Sequence, residues 1–88
     1  MAKSEFDKRF PPRNSVVSDA LASNIRRLRQ DKKWTQGELG DKADVKQGAI
    51  SLIENSRANP TILMLENIAK ALGVDFEQLF QNIRPRRK

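Results

Sequence analysis

The sequence contains neither cysteine nor histidine. Their absence excludes disulfide bonds, thiol nucleophiles, imidazole bases and the usual zinc ligands. The other residues that serve acid-base or nucleophilic chemistry do not converge in any motif, so we expect no enzymatic activity, no metal site and no cofactor. A cytosolic protein without metal is therefore the default expectation.

Long apolar runs are also missing. No stretch is long enough for a secretory signal or a membrane-spanning helix, so we expect a soluble intracellular protein without a membrane partner. The 88 residues predict a single domain, whose core would be too small for an elaborate enzyme pocket.

The positive charge of the chain is concentrated at its ends. Of the net charge of +6, residues 1–17 carry +2 and residues 81–88 carry +4, whereas residues 18–80 are neutral overall. A basic balance suits nucleic acid, but any affinity of the central part depends on where its cations lie.

The most informative stretch is residues 35–54, with the sequence TQGELGDKADVKQGAISLIE. Thr35 and Glu38 form a capping box, and Trp34 and Leu39 occupy the two positions of a hydrophobic staple. These signals predict a helix whose first residue is Gln36.

The helical pattern breaks at residues 44–46 and resumes at Gln47, after which Ile50 and Ile53 lie on one helical face. A second helix is therefore predicted from near Gln47. Gly40, inside the first helix, costs about 1 kcal/mol relative to alanine, which indicates that the second helix crosses closely there. Two short helices joined by a tight break are the outline of a helix-turn-helix.

The solvent-facing side of this second helix carries no charge. It consists of Gln47, Gly48, Ser51, Leu52 and Asn55. One interpretation is a plain polar surface with a single exposed leucine, which is common. The other is a face that hydrogen-bonds base edges and contacts thymine methyl groups in the major groove of DNA.

Another helix precedes this motif. It begins at Ser18 or Asp19, both capping-type residues, and runs to about Lys32. The side of this helix that faces away from the core is basic, and we interpret it as a solvated face. This side consists of Arg26, Arg27, Lys32 and Lys33.

Two helices follow the motif. Thr61 caps the first, and Gly73 ends it as a glycine in the left-handed conformation. Asp75 caps a last short helix, with Gln78 at the capping-box position. The apolar stripe of the first of these helices consists of Ile62, Leu65, Ile68, Ala69 and Leu72.

These elements predict an all-α domain of five helices over residues 18–81, with a flexible arm over residues 1–17 and a basic tail over residues 82–88. The predicted core consists of Leu21, Ile25, Leu28, Leu39, Ala43, Val45, Ile50, Ile53, Leu65, Ile68, Leu72 and Val74.

Four motifs carry a family resemblance. They are TQ-x-EL at the start of the first motif helix, I-x-x-I-E in the second, NP-x-x-x-x-L before the next helix, and IAKALGV followed by LF. Residues 21–80 resemble the helix-turn-helix domain of phage repressor and Cro proteins and their bacterial relatives, the XRE family. The resemblance implies a compact five-helix domain like that of the λ repressor. It also implies a repressor-like, sequence-specific transcriptional regulator, in the cytoplasm of a bacterium and associated with its nucleoid.

The resemblance also implies, position by position, which residues contact double-stranded DNA. The helix from Gln47 would enter the major groove, and Gln47, Gly48, Ser51 and Leu52 would face base edges. Phosphates would be held by Gln36, Lys46, Asn55 and Arg57. A linked pair in the family falls on Arg29 and Glu54 here, and it would tie the first helix to the end of the reading helix.

Three positions depart from the family pattern. Asp44 replaces the usual glycine of the turn, Lys46 replaces the usual serine or threonine cap, and Gly48 provides no side chain at a usual reading position. Because fewer side chains can read bases, we expect DNA shape to contribute more to specificity.

Members of the family bind two half-sites as dimers. The end of this chain carries more large apolar residues than a short terminal helix needs to bury: Phe76, Leu79, Phe80 and Ile83. We therefore predict a homodimer on a palindromic operator, with these four residues at the interface. The alternative is that Phe76, Leu79 and Phe80 pack into the core of their own subunit.

Two other functions fit the same domain. An antitoxin would bind a toxin protein through residues 1–17 and would also bind its own operator. A protein-interaction module would use the fold without DNA. Copurification with a neighbouring gene product tests the first alternative, and a gel shift with genomic fragments tests the second.

Overall fold

The computed structural model describes residues 15–83, which form four α-helices and a 3₁₀ helix with no strand among them. The elements are α1 (Val16–Asp31), α2 (Gln36–Ala43), α3 (Gln47–Glu54), α4 (Ile62–Leu72) and the 3₁₀ helix (Phe76–Phe80). The predicted all-α helix-turn-helix fold is confirmed. The last of the five expected helices is a 3₁₀ helix, a form that is common in short pieces. No helix in the described part of the chain could cross a membrane.

Helix α1 begins earlier than the sequence predicts. Its N-cap is Ser15, whose Oγ accepts a hydrogen bond from the Ser18 N–H at 3.2 Å. Val16 and Val17 are therefore helical, although we assigned them to the arm. Both Ser15 and Ser18 are good capping residues, so the local signal did not distinguish them. The remainder of the predicted arm, residues 1–14, and residues 84–88 of the predicted tail lie outside the described residues.

The helix-turn-helix itself follows its capping signals. The Thr35 Oγ1 accepts from the Glu38 N–H at 3.0 Å, and the Glu38 Oε1 accepts from the Thr35 N–H at 2.8 Å, so the predicted capping box is confirmed. Asp44 ends α2 in the left-handed conformation, with φ of 57°. Lys46 then precedes α3 without a side-chain cap, as its chemistry implies.

Gly40 permits the close approach that its position in α2 predicted. A Cβ added there would clash with the carbonyl oxygen of Val45, and it would lie 3.4 Å from the backbone nitrogen of Gln47. The nearest neighbour is therefore the turn between the two helices rather than the body of α3. Because the clash involves backbone, no rotamer change relieves it.

The core lies where the helices meet: α2 packs on α3 and α4, and the 3₁₀ helix packs on α1 and α4. Ten of the twelve predicted core residues are buried, whereas Leu28 and Val74 are only partly buried at the edge. Leu79, which we assigned to a dimer interface, is fully buried instead.

Ile62 does not belong to the buried stripe of α4. Its side chain is 64% exposed, as is that of Leu63. Ile62 lies in the first turn of the helix, at the edge of the stripe, on the side of the exposed Glu66 one turn later. The caps of α4 follow the sequence, because the Thr61 Oγ1 accepts from the Met64 N–H at 3.0 Å and Gly73 has φ of 73°.

Candidate nucleic-acid interface

A buried carboxylate fixes the position of α3. Glu54, the last residue of α3, has a side chain with no exposed surface. The Arg29 Nε donates to Glu54 Oε2 at 2.7 Å, and the Arg29 Nη2 donates to Glu54 Oε1 at 3.0 Å. This bidentate bond raises the pKa of the Arg29 guanidinium above its usual value, against the lowering effect of burial. The structure therefore places Arg29 and Glu54 in contact.

Two more side chains hydrogen-bond to Glu54, one to its carboxylate and one to its backbone. The Gln36 Nε2 donates to Glu54 Oε1 at 3.1 Å, and the Arg26 Nη2 donates to the Glu54 backbone oxygen at 2.6 Å. Arg26 is about half exposed, but it is not merely a solvated cation as we expected from the basic face of α1. It satisfies one of the carbonyl groups that the end of α3 leaves without an intrahelical partner.

The predicted base-reading residues lie together along α3. Gln47 and Gly48 are exposed at its start, and Ser51 and Leu52 are half-buried one turn later. A Cβ added at Gly48 would have no neighbour within 4 Å, so the backbone of α3 is bare at this point. A surface formed by an amide, a hydroxyl, an apolar side chain and bare backbone matches the chemistry of base edges in the major groove.

The four predicted phosphate-binding residues lie at the two ends of α3 or at the start of α2. Lys46 precedes α3 and is exposed, whereas Asn55 and Arg57 follow it, with Asn55 exposed and Arg57 half-buried. Gln36 begins α2, and one of its two amide N–H groups is donated to Glu54. The Asn55 Nδ2 donates to the Ser51 backbone oxygen at 2.8 Å, so this side chain is held at the end of α3.

The C-terminal apolar residues do not form one surface. Leu79 has no exposed area and its side chain cannot contact a partner subunit, which corrects its assignment to the interface. Phe76 and Phe80 are half-buried and their ring centroids lie 5.4 Å apart. Ile83 is 39% exposed. The structure thus leaves Phe76, Phe80 and Ile83 accessible in part.

Asn24 holds this C-terminal segment in place, and sequence reasoning missed it. Its side chain is buried in α1, and its Nδ2 donates to the backbone oxygens of Leu79 at 2.9 Å and of Gln81 at 2.8 Å. The signal was present, because an asparagine three residues after Leu21 and one before Ile25 lies on the apolar face of the helix.

Comparisons with known proteins agree with this arrangement. The sequence model of the HTH_3 family, described as helix-turn-helix, matches residues 25–79. An uncharacterized HTH-type transcriptional regulator y4dJ of Sinorhizobium fredii is 39% identical over 59 residues, which are 67% of this chain and 77% of that protein. The immunity repressor protein of Bacillus phage phi105 is 35% identical over 54 residues, 61% of this chain but only 38% of the phage protein.

A solved structure has the same architecture. The hypothetical transcription factor NHTF from Neisseria superposes with a TM-score of 0.71 and 34% sequence identity, covering 73% of this chain and 74% of that one. The family match spans more than half of the chain and includes the whole of α2, α3 and α4. The chain therefore belongs to the HTH_3 family of helix-turn-helix proteins, the DNA-binding transcription regulators of XRE type.

Proposed function

We propose that this protein represses transcription by binding a palindromic operator as a homodimer, with α3 in the major groove. The observation that carries the proposal is the uncharged, accessible face of α3, which has Lys46 at one end and Arg57 beyond the other. Uncharged groups are suited to base edges and cations to the phosphates on either side. The protein would act in the bacterial cytoplasm, on nucleoid DNA.

Each of the four residues on the DNA-facing side of α3 has a distinct role in this proposal. Gln47 accepts from adenine N6 and donates to adenine N7, and Leu52 packs on a thymine methyl group. Ser51 hydrogen-bonds a neighbouring base. Gly48 places bare backbone against the groove, which lets the helix approach DNA closely.

The phosphate contacts fix the register of the helix. Lys46 and Arg57 supply charge, whereas Asn55 and Gln36 supply amide donors. Gln36 donates one N–H to Glu54, which leaves its second N–H for a phosphate oxygen. The buried Glu54 therefore orients Gln36 toward a DNA phosphate without touching DNA itself.

Dimerisation in this proposal uses the accessible part of the C-terminal segment. Phe80 and Ile83 supply apolar surface, and Phe76 contributes through its contact with Phe80. A second copy places a second α3 about one helical turn along the duplex, so that the symmetry of the operator matches that of the protein.

Selection of bound sites from random duplex DNA tests the proposed function. We expect enrichment of a motif with two inverted half-sites whose centres lie about 10 base pairs apart. Gln47→Ala, which removes one base reader, serves as the matched variant and should select the same motif with one position relaxed. Enrichment of no sequence by the wild-type protein would contradict the proposal, as would a motif without symmetry.

A further inference from the structure

Gly37 stands at the second position of α2 without a structural need for glycine. Its φ is not positive, because Gly73 is the only glycine with positive φ among residues 15–83. A Cβ added at Gly37 would have no neighbour closer than 3.4 Å, in contrast to the backbone clash at Gly40. Alanine would also favour the helix by roughly 0.5 to 1 kcal/mol. Neither the backbone nor the packing of α2 therefore explains this glycine.

Outside the backbone of α2, two of the three atoms nearest to a Cβ added at Gly37 belong to one side chain. An added Cβ would lie 3.4 Å from Oε1 and 3.9 Å from Cδ of Gln47, with Thr35 Oγ1 at 3.8 Å. Gln47 is exposed and begins α3, and these short distances place its carboxamide beside the first turn of α2. The carboxamide occupies space next to the position that a side chain at residue 37 would fill.

The orientation of this carboxamide determines what it can bind. An amide that reads adenine must present its oxygen to N6 and its nitrogen to N7 at the same time. A single Cβ at residue 37 is in ordinary contact with Oε1, but the γ carbons of a branched side chain would extend into the space next to it. The carboxamide would then have to turn or withdraw.

We propose that Gly37 determines base preference, by leaving the space in which the Gln47 carboxamide is held for reading. This inference rests on the proposed function, because it assumes that Gln47 contacts a base. Gly37 is a positioning residue in this arrangement: it makes no contact with DNA and acts only through the side chain of Gln47.

A comparison of Gly37→Val with Gly37→Ala tests the inference. Both residues have a higher helix propensity than glycine, so both variants should fold, with melting temperatures at or above that of the wild type by circular dichroism. Gly37→Val should change the preferred base at the position assigned to Gln47 and lower affinity for the selected site about tenfold, within the range of one bidentate contact. Gly37→Ala should keep the wild-type motif.

A double-mutant cycle separates an effect through Gln47 from a general one. In the Gln47→Ala background the reader is absent, so adding Gly37→Val should change affinity less than about twofold. An equal loss in both backgrounds would show that residue 37 acts elsewhere and would overturn the inference. An unchanged motif for Gly37→Val would also overturn it, and the proposed function would then still stand if the wild-type protein enriches a symmetric site. Failure of the wild type to enrich any site would overturn both.

Discussion

At the scale of single residues, Glu54 does the most to hold the candidate interface together. Its carboxylate is fully buried and accepts hydrogen bonds from Arg29 and Gln36. Replacement by alanine leaves an arginine that is 12% exposed without its charged partner, and breaking a buried ion pair from one side costs about 3 to 5 kcal/mol.

Glu54→Ala should therefore lower the melting temperature by more than about 10 °C, since each 1 kcal/mol shifts a domain of this size by about 4 to 8 °C. Thermal unfolding followed by circular dichroism measures the change. Glu66→Ala, at an exposed position of α4, is the control and should shift the midpoint by only a few degrees. Similar shifts for the two variants would contradict the assigned role of Glu54.

Lys46 and Gln47 are neighbours in sequence, but they should differ in how they contribute to binding. Lys46→Ala should weaken binding to all DNA sequences alike and reduce the slope of log affinity against log salt by about 0.9, the value for one phosphate contact. Gln47→Ala should instead cost about 1 to 3 kcal/mol on the selected site and leave the salt slope unchanged. Fluorescence anisotropy on selected and random duplexes distinguishes the two patterns.

The fold should tolerate the Lys46 change. Lys46 makes no side-chain cap, and a cation at a helix N-terminus is unfavourable, so alanine removes no stabilising contact. An unaltered salt slope for Lys46→Ala would contradict its assignment to a phosphate. An equal loss of affinity on selected and random DNA for Gln47→Ala would contradict its assignment to a base.

At the scale of elements, local signals were enough where they are chemically specific. The capping box of Thr35 and Glu38 and the cap at Thr61 were all read correctly from neighbouring residues. The predicted start of α1 was wrong because Ser15 and Ser18 are both suitable N-cap residues. The assignment of Leu79 to a dimer interface was wrong because its burial depends on α1 and α4, which a pattern within the terminal segment does not describe.

The candidate site was predictable to a similar degree. The uncharged face of α3 follows from helical periodicity. The attachment of Arg26 and Gln36 to Glu54 joins residues 28 and 18 positions apart, and no spacing rule indicates such contacts. The proximity of the Gln47 side chain to the position of a Cβ at Gly37 has the same origin, because it depends on how α2 and α3 cross.

The two glycines of α2 allow a prediction about how these helices cross. Gly40→Ala should lower the melting temperature, because the clash with the Val45 carbonyl outweighs the gain in helix propensity of about 1 kcal/mol. Gly37→Ala in the same helix should raise it slightly, because the added methyl group meets only ordinary contacts. Thermal melts of both variants test the sign, and a rise for Gly40→Ala would show that the turn is less tightly packed than the structure indicates.

At the scale of the whole molecule, the first and last elements form one unit. Asn24 in α1 donates to the backbone oxygens of Leu79 and Gln81, at the end of the 3₁₀ helix, and the side chain of Leu79 packs into the core. Buried carbonyl groups are costly to leave without donors, so this link fixes the direction in which the chain emerges. Phe80 lies between the two anchored carbonyl groups and Ile83 follows two residues after them, so this link also positions these accessible apolar residues.

This arrangement makes Ile83 the best position for a test of dimerisation. It is 39% exposed and lies at the end of the described part, so a charge there should not disturb the core. Ile83→Glu should fold with a melting temperature within a few degrees of the wild type but should sediment as a monomer at micromolar concentration. Its affinity for the full operator should fall about a hundredfold, because the two half-sites are no longer linked through one dimer.

Leu63→Glu is the matched control, since Leu63 is a 64% exposed apolar residue on a different element. It should remain a dimer if the interface is confined to the C-terminal segment. If the Leu63 variant were a monomer and the Ile83 variant a dimer, the interface would have to be assigned to the start of α4 instead. A wild-type protein that sediments as a monomer and binds one half-site as tightly as the whole operator would rule out the dimer, because avidity requires that both half-sites be held at once.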